Sequence, residues 1–111
     1  MKKFSLTALA RDQLDRAAAE SSGRSATTVV GGHECVLRQT VIALREGQAL
    51  DDHDNSADDT TLYVLSGRIK LTSGEDSWTG RTGDLLVAPS AVHAVSALED
   101  ATFLLTVAKK P

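Results

Sequence analysis

The stretch from residue 47 to residue 67, GQALDDHDNSADDTTLYVLSG, carries the strongest structural pattern in the chain. In its second half Leu62 and Val64 alternate with other residues up to Gly67, and apolar and basic residues alternate again from 68 to 71. Successive side chains on a strand point to opposite faces, so each half has one apolar face. Because glycine accepts the positive φ of a tight turn, this pattern predicts a β-hairpin that turns at Gly67.

Short apolar runs, separated by clusters of Gly, Asp, Asn and Ser, continue from residue 24 almost to the C-terminus. The clusters recur at about eight to twelve residues, a spacing typical of an all-β sandwich or barrel. We expect strands near 26–30, 35–44, 49–52, 60–65, 68–73, 76–79, 85–88, 92–97 and 101–107. So many short strands must close on themselves or stack as two sheets, since they would otherwise leave long unpaired edges.

One helical pattern precedes these strands, over residues 5–20. Apolar residues recur there at helical spacing, and charged residues occupy the other face. Ser5 or Thr7 can cap the helix, and Gly23 follows its end. We expect this helix to pack on the outside of a sheet; a partner-binding helix is the alternative. The chain therefore divides into a helix and lead-in at 1–25 and a single β-barrel domain at 26–111.

Two stretches resemble the sequence motifs of the cupin superfamily. The first motif runs Gly, five residues, His, one residue, His, three or four residues, Glu, six residues, Gly; Gly47, His53 and Gly67 fit it. The stretch GDLLVAPSAVH is similar to the second motif, with His93 one residue nearer the proline than in the family. The resemblance covers about residues 35 to 108. It implies a small RmlC-like cupin, an all-β jelly-roll barrel (double-stranded β-helix) with one N-terminal helix.

The same resemblance implies a metal site from which ligands have been lost. In metal-bearing cupins two His and one Glu of the first motif, and one His of the second, hold a divalent ion such as Fe, Mn, Ni, Cu or Zn. His53 and His93 are the candidate metal ligands here, whereas Asn55 and Thr60 stand at the positions of the second His and the Glu. Amide and hydroxyl oxygens bind such ions poorly. The alternative is that these four side chains line a polar ligand pocket without metal.

Asp59 is the nearest carboxylate that could replace the missing Glu. It lies next to Thr60, and neighbouring side chains on a strand alternate in direction, so Asp59 should point outward when Thr60 points inward. Only a bulge would re-aim it. The segment 51–59 contains five Asp residues but lacks the Gly and Glu of a calcium-binding EF-hand loop. A solvated acidic loop near the mouth of the barrel is the favoured interpretation.

Five further residues are candidates for a role in function or packing. Arg38 is a candidate pocket residue: facing inward it could clamp a carboxylate, and facing outward it would be a surface or dimer-contact residue. His33 follows two glycines and is expected on the surface. Cys35 is the single cysteine and is interpreted as a buried or inert thiol. Tyr63 and Trp78 are most simply packing residues.

Composition limits the classes of partner. The chain has 111 residues, 41% of them hydrophobic, and a net charge of −3. These values predict one folded domain and disfavour nucleic acid, which requires clustered Lys and Arg. The apolar run after Met1 is too short for a secretory segment, so we expect a cytoplasmic protein without a membrane partner. The resemblance also implies a homodimer, with sheet edges as the physical motive.

Three functions remain open at this point. The first is a non-catalytic cupin, a sensor or accessory protein that binds a small molecule, with or without a divalent metal, in the barrel. The second is a metal-dependent cupin enzyme, dioxygenase-like or isomerase-like, that uses His53 and His93. It requires a third strong ligand, which the sequence does not offer in register. The third is a structural dimer with a vestigial pocket.

Overall fold

The computed structural model describes residues 1–54, 58–89 and 91–109, with side chains at the same positions except 51–54 and 58. In chain order the elements are α1 (Leu6–Ala19), β1 (Arg24–Val30), β2 (Leu37–Leu44), β3 (Ala49–Asp54), β4 (Asp58–Ser66), β5 (Arg68–Ser73), β6 (Asp76–Arg81), β7 (Leu85–Ala88), β8 (Val92–Ala97) and β9 (Ala101–Lys109). The all-β fold with one N-terminal helix is confirmed. Each expected strand is present, with small shifts at its ends.

The strands form two antiparallel sheets that enclose one apolar core. One sheet has the order β1-β2-β9-β4-β7 and the other the order β3-β8-β5-β6. The predicted hairpin joins β4 to β5, and Gly67 adopts a φ of 77° at its turn. Buried side chains from both sheets meet between them: Ile42, Leu44, Leu62, Val64, Ile69, Leu71, Ala88, Val95, Ala97, Ala101 and Phe103. The inner face of each strand can therefore be identified from the positions that contribute to this core.

Helix α1 covers the outer face of the five-stranded sheet, as expected from its pattern. The hydroxyl of Ser5 accepts a hydrogen bond from the backbone N–H of Ala8 at 3.3 Å and so caps the helix. The buried helix positions are Ala10, Gln13 and Ala17, and the helix contacts β1 and β2. Strand β2 is consequently apolar on both faces, one toward the core and one toward the helix. No helix in the described ranges is long and apolar enough to span a membrane.

The outer face near β7 remains apolar and exposed. Strand β7 is an edge of the five-stranded sheet, and Val87 on it is 73% exposed. Leu85 is also exposed and lies opposite Tyr63 of β4. The interpretation of Tyr63 and Trp78 as packing residues is wrong in part, because they are 39% and 47% exposed and neither belongs to the core.

Candidate functional site

His93 lies at the start of β8 and faces the inside of the barrel. It is 6% exposed, and Val95 and Ala97, at the next alternate positions, are core residues. The register of β3 and β8 sets His53 directly opposite His93. The histidines of the two motifs are therefore neighbours on adjacent strands. We call the end of the barrel where β7 ends and β8 begins the His93 end.

An irregularity in β3 determines which residue stands opposite His93. Leu50 pairs with Val95, and the next pair is His53 with His93. Two residues of β3 therefore lie between these pairs, against one residue of β8. Such an extra residue is a β-bulge. With uninterrupted pairing, Asp52 would take the position opposite His93. The side chain of His53 lies outside the described residues, and the pairing is a statement about the backbone.

The ring of His93 is oriented by a contact with its own turn. Its Nδ1 lies 3.2 Å from the carbonyl oxygen of Ala91. A carbonyl oxygen can only accept a hydrogen bond, so Nδ1 carries the proton and donates it. In the neutral ring Nε2 is then the unprotonated nitrogen. Metal-binding histidines commonly have this arrangement, in which one ring nitrogen donates to a carbonyl and the other is the ligand.

The two residues at the missing Glu position point in opposite directions. Thr60 on β4 is 4% exposed and lies on the same inner face as Leu62 and Val64. Asp59 is exposed on the other face. Strand alternation therefore governs this segment, and Asp59 does not bring its carboxylate to the inside. Asn55, the residue at the second His position, lies outside the described residues.

Arg38 belongs to the inner face of the five-stranded sheet at the His93 end. The register pairs Arg38 with Val107, and Val107 with Thr60, so the three residues form one row across β2, β9 and β4. Alternation also places Arg38 on the same face as Ile42, a core residue. It is nevertheless exposed, because it lies at the end of β2, beyond the packed core.

Arg38 lines a basic cleft of about 410 Å³ at this end of the barrel. The other lining residues are Thr28, Gly31, Gly32, His33 and Lys109. Register places Thr28 and Lys109 on the inner face as well, since Thr28 pairs with Thr40 and Lys109 follows Val107 by two residues. His33 is exposed, as expected, yet it contributes to this cleft. Among the residues with described side chains, those that line it carry no carboxylate, and Oε2 of Glu34 lies 4.0 Å from the position that a Cβ on Gly32 would take.

The described donors do not make a complete transition-metal site. Among the residues whose side chains are described, 1–50, 59–89 and 91–109, no three His, Cys, Asp or Glu residues are grouped so as to hold a metal ion. Cys35 is partly exposed and lies beside Gly32, next to the basic cleft, but it belongs to no such group. A Thr hydroxyl at position 60 is a weak ligand, so the set does not fit the two-His-one-carboxylate triad. The described backbone does allow a weaker site, in which the two imidazoles bind an ion and water or a bound ligand fills the other coordination positions.

Comparison with solved structures identifies the architecture. An RmlC-like cupin protein from Desulfovibrio desulfuricans is 26% identical over 77% of this chain and 81% of its own, with a TM-score of 0.66. A Cupin 2 conserved barrel domain protein from Salinispora arenicola is 15% identical, covering 98% and 89%, with a TM-score of 0.69. This chain has the fold of a small cupin domain.

A third match, the conserved SPY1581 protein of unknown function from Streptococcus pyogenes, is 28% identical to this cupin. The match covers 83% of this chain and 79% of that protein, with a TM-score of 0.73. Neither a scan against models of protein families nor a search of curated proteins finds a match. The cupin fold is thus established by structural likeness and by the two sequence motifs together.

Lys109 is the site residue that sequence reasoning missed. The pair Lys109-Lys110 looks like a solvated terminus when only the chain order is considered. Strand β9, however, continues to Lys109, whose backbone N–H donates to the carbonyl of Val36 at 3.0 Å. The alternation of Phe103, Leu105 and Val107 continues to position 109 and was the available indication that Lys109 shares their face.

Proposed function

We propose that this cupin binds a small anionic molecule at the His93 end of its barrel. The observation that carries the proposal is the register, which sets Arg38, Thr60 and His93 on inner faces at one end of the barrel. The basic cleft beside them favours an acidic group on the ligand, because Arg38 and Lys109 line it and none of its described lining residues carries a carboxylate. A non-catalytic binding role is consistent with a chain that retains the barrel fold but has Asn55 and Thr60 at two of the metal-ligand positions of the motif.

The chemistry of each residue suggests a division of roles. The guanidinium of Arg38 presents parallel N–H donors that match a carboxylate or a phosphate, and Lys109 adds a second positive charge. The imidazole of His93 is buried at the same end of the barrel and adds a polar group that a ligand hydroxyl or amine could contact. The Thr60 hydroxyl can donate or accept. A molecule with an acidic head and a polar hydrogen-bearing group would use all four residues.

A thermal-shift screen of small carboxylates, phosphate esters and matched neutral analogues tests this proposal. Each stabilising compound is then titrated by calorimetry into the native protein and two variants. We expect most of the stabilising compounds to be acids. We also expect Arg38→Gln to lower their binding affinity about tenfold or more, since a charge-assisted hydrogen bond is lost. Arg11→Gln, at an exposed position of the helix, is the matched control and should bind normally. The proposal would be wrong if acids and neutral analogues bound equally well, or if Arg38→Gln bound the acids as tightly as the native protein.

A metal-dependent cupin enzyme is the second candidate, and the pairing of His53 with His93 favours it. Directly opposite residues on antiparallel strands have Cβ atoms about 4.5–5.5 Å apart, close enough for two imidazoles to share one ion. In that case an open coordination position would polarise the bound substrate. The missing carboxylate argues for weaker binding than in a complete site.

Elemental analysis of tag-free protein separates the two candidates. The native protein and a His53→Ala, His93→Ala double variant are each reloaded in turn with Fe, Mn, Ni, Cu and Zn, and their metal contents are compared. Near-stoichiometric metal that is lost in the double variant would favour the enzyme and justify a search for oxygen-dependent turnover. No retained metal after reloading would exclude it and leave metal-free binding.

The homodimer implied by the cupin resemblance stays a prediction. The exposed apolar positions Tyr63, Leu85 and Val87 near the β7 edge support it, because packing two such faces against each other would cover them. Sedimentation velocity of the native protein and of Val87→Glu measures this directly. If the native protein were a monomer at all concentrations, both the predicted dimer and the purely structural function that depends on it would be wrong.

A further inference from the structure

Two arginines face each other at the end of the barrel opposite His93. Arg68 on β5 pairs directly with Arg81 on β6. The adjacent pair, Ile69 and Gly80, is buried toward the core, so both arginines lie on the outer face of the four-stranded sheet. Side chains in this relation begin about 4.5–5.5 Å apart, and like charges directly opposite each other destabilise a sheet. Lys70, two residues beyond Arg68 on the same face, adds a third positive charge.

The Nε atom of Arg68 is buried and has no hydrogen-bond partner among the described residues. The residue is partly buried, and within the described part of the chain neither Arg68 nor Arg81 has an ion-pair partner. A buried donor without a partner is rare in native proteins and often marks an ion or water. The arrangement thus concentrates positive charge on a face where no described side chain forms an ion pair with either arginine.

The nearby carboxylates are mostly engaged elsewhere. Asp84 Oδ2 accepts the backbone N–H of Arg81 at 2.8 Å, and Asp100 Oδ1 accepts that of Glu46 at 2.8 Å. Glu99 lines the same cleft as the arginines but forms no ion pair with them among the described residues. Among the described residues that line the cleft, Glu99 carries the carboxylate that would compete with an external anion, and Asp84 adds negative charge beside the backbone of Arg81.

The cleft has a volume of about 390 Å³ and is lined by Gly67, Arg68, Arg81, Thr82 and Glu99. We propose that it binds a phosphate-type oxyanion, which bridges the two guanidinium groups and accepts a hydrogen bond from the Thr82 hydroxyl. A planar carboxylate is satisfied by one guanidinium fork, whereas a tetrahedral oxyanion accepts donors from several directions. This site is separate from the one proposed at His93, and neither depends on the other.

The test follows the Nε–Hε resonances of arginine in ¹⁵N-labelled protein during titration with inorganic phosphate. We expect a saturable shift of the Arg68 resonance, together with the backbone amides of 67–68 and 81–82. Sodium chloride at matched ionic strength and sodium acetate are the comparisons for screening and for carboxylate. Arg81→Gln should weaken phosphate binding about tenfold or more, and Arg16→Gln on the helix should leave it unchanged.

Stability measurements give an independent readout. Because the arginines repel each other without an anion, Arg81→Gln should raise the melting temperature in phosphate-free buffer, and phosphate should stabilise only the native protein. Glu99→Gln should strengthen phosphate binding by removing the competing carboxylate. Equal shifts with chloride, or destabilisation by both Arg81→Gln and Glu99→Gln, would overturn the proposal, since Glu99 would then be the counterion.

Discussion

Replacing Gly67 by alanine tests why the first cupin motif ends in glycine. The residue has a φ of 77°, and an added Cβ would collide with the carbonyl oxygen of Asp100 and lie 2.8 Å from Cα of Ala101. Both atoms belong to the backbone that leads from β8 into β9, so no side-chain rotation relieves the overlap. Gly74 provides the matched control, because it has a φ of 59° and no atom within 4 Å of its added Cβ.

The two substitutions differ in one physical contribution. A left-handed conformation costs an alanine roughly 1 kcal/mol, and Gly74→Ala should lose about that amount of unfolding free energy. Gly67→Ala has the same penalty and must also displace a packed turn, for which overpacking costs of about 1–3 kcal/mol or more are typical. We therefore expect Gly67→Ala to lose about 2–4 kcal/mol in total, a large part of the stability of a small domain.

Urea denaturation followed by circular dichroism measures both losses. The midpoint should fall further for Gly67→Ala than for Gly74→Ala, with similar dependence on denaturant for all three proteins. If the two variants lose the same free energy, the contact between the β4–β5 turn and the β8–β9 turn does not constrain position 67. The glycine would then be required by its φ alone.

Three further predictions concern the interior. Gln13→Met removes a buried amide oxygen that lacks a hydrogen-bond partner, so unfolding free energy measured in urea should rise by about 1 kcal/mol. Phe103→Ala empties a fully buried core position and should cost about 3–5 kcal/mol in the same assay. Thr60→Glu places a carboxylate at an inner position and should lower the melting temperature of the metal-free protein. Zn²⁺ or Mn²⁺ should restore it, unless His93→Ala is also present.

The sequence predicts the strands well because most of them are covered on only one face. Alternation along 60–71 is clear for that reason, and the hairpin at Gly67 follows from it. Strand β2 is different. Ile42 and Leu44 enter the core while Val41 and Ala43 pack under the helix, so both alternating sets are apolar and the face of Arg38 is not readable from the pattern.

The candidate site was predictable by residue type more than by geometry. Spacing in the motifs indicates His53, Thr60 and His93, and alternation indicates that Asp59 points away. The basic cleft depends on which strands pair, because Arg38 and Lys109 are far apart in the chain and adjacent in register rows. No local pattern encodes that pairing, and so the contribution of Lys109 is visible only in the folded protein.

The bulge in β3 has a consequence for how such a site can evolve. Leu50 anchors one side of the extra residue in the core, and His53 stands on the other side, opposite His93. Deleting one of the two residues between Leu50 and His53 would leave a single residue there, matching the single residue between Val95 and His93 on β8. The strand would then pair without interruption, and His53 would still stand opposite His93. A slip of the register by one residue, without a deletion, would instead bring Asp52 to that position. A one-residue deletion is thus a mutational path that removes the bulge and keeps both histidines in register.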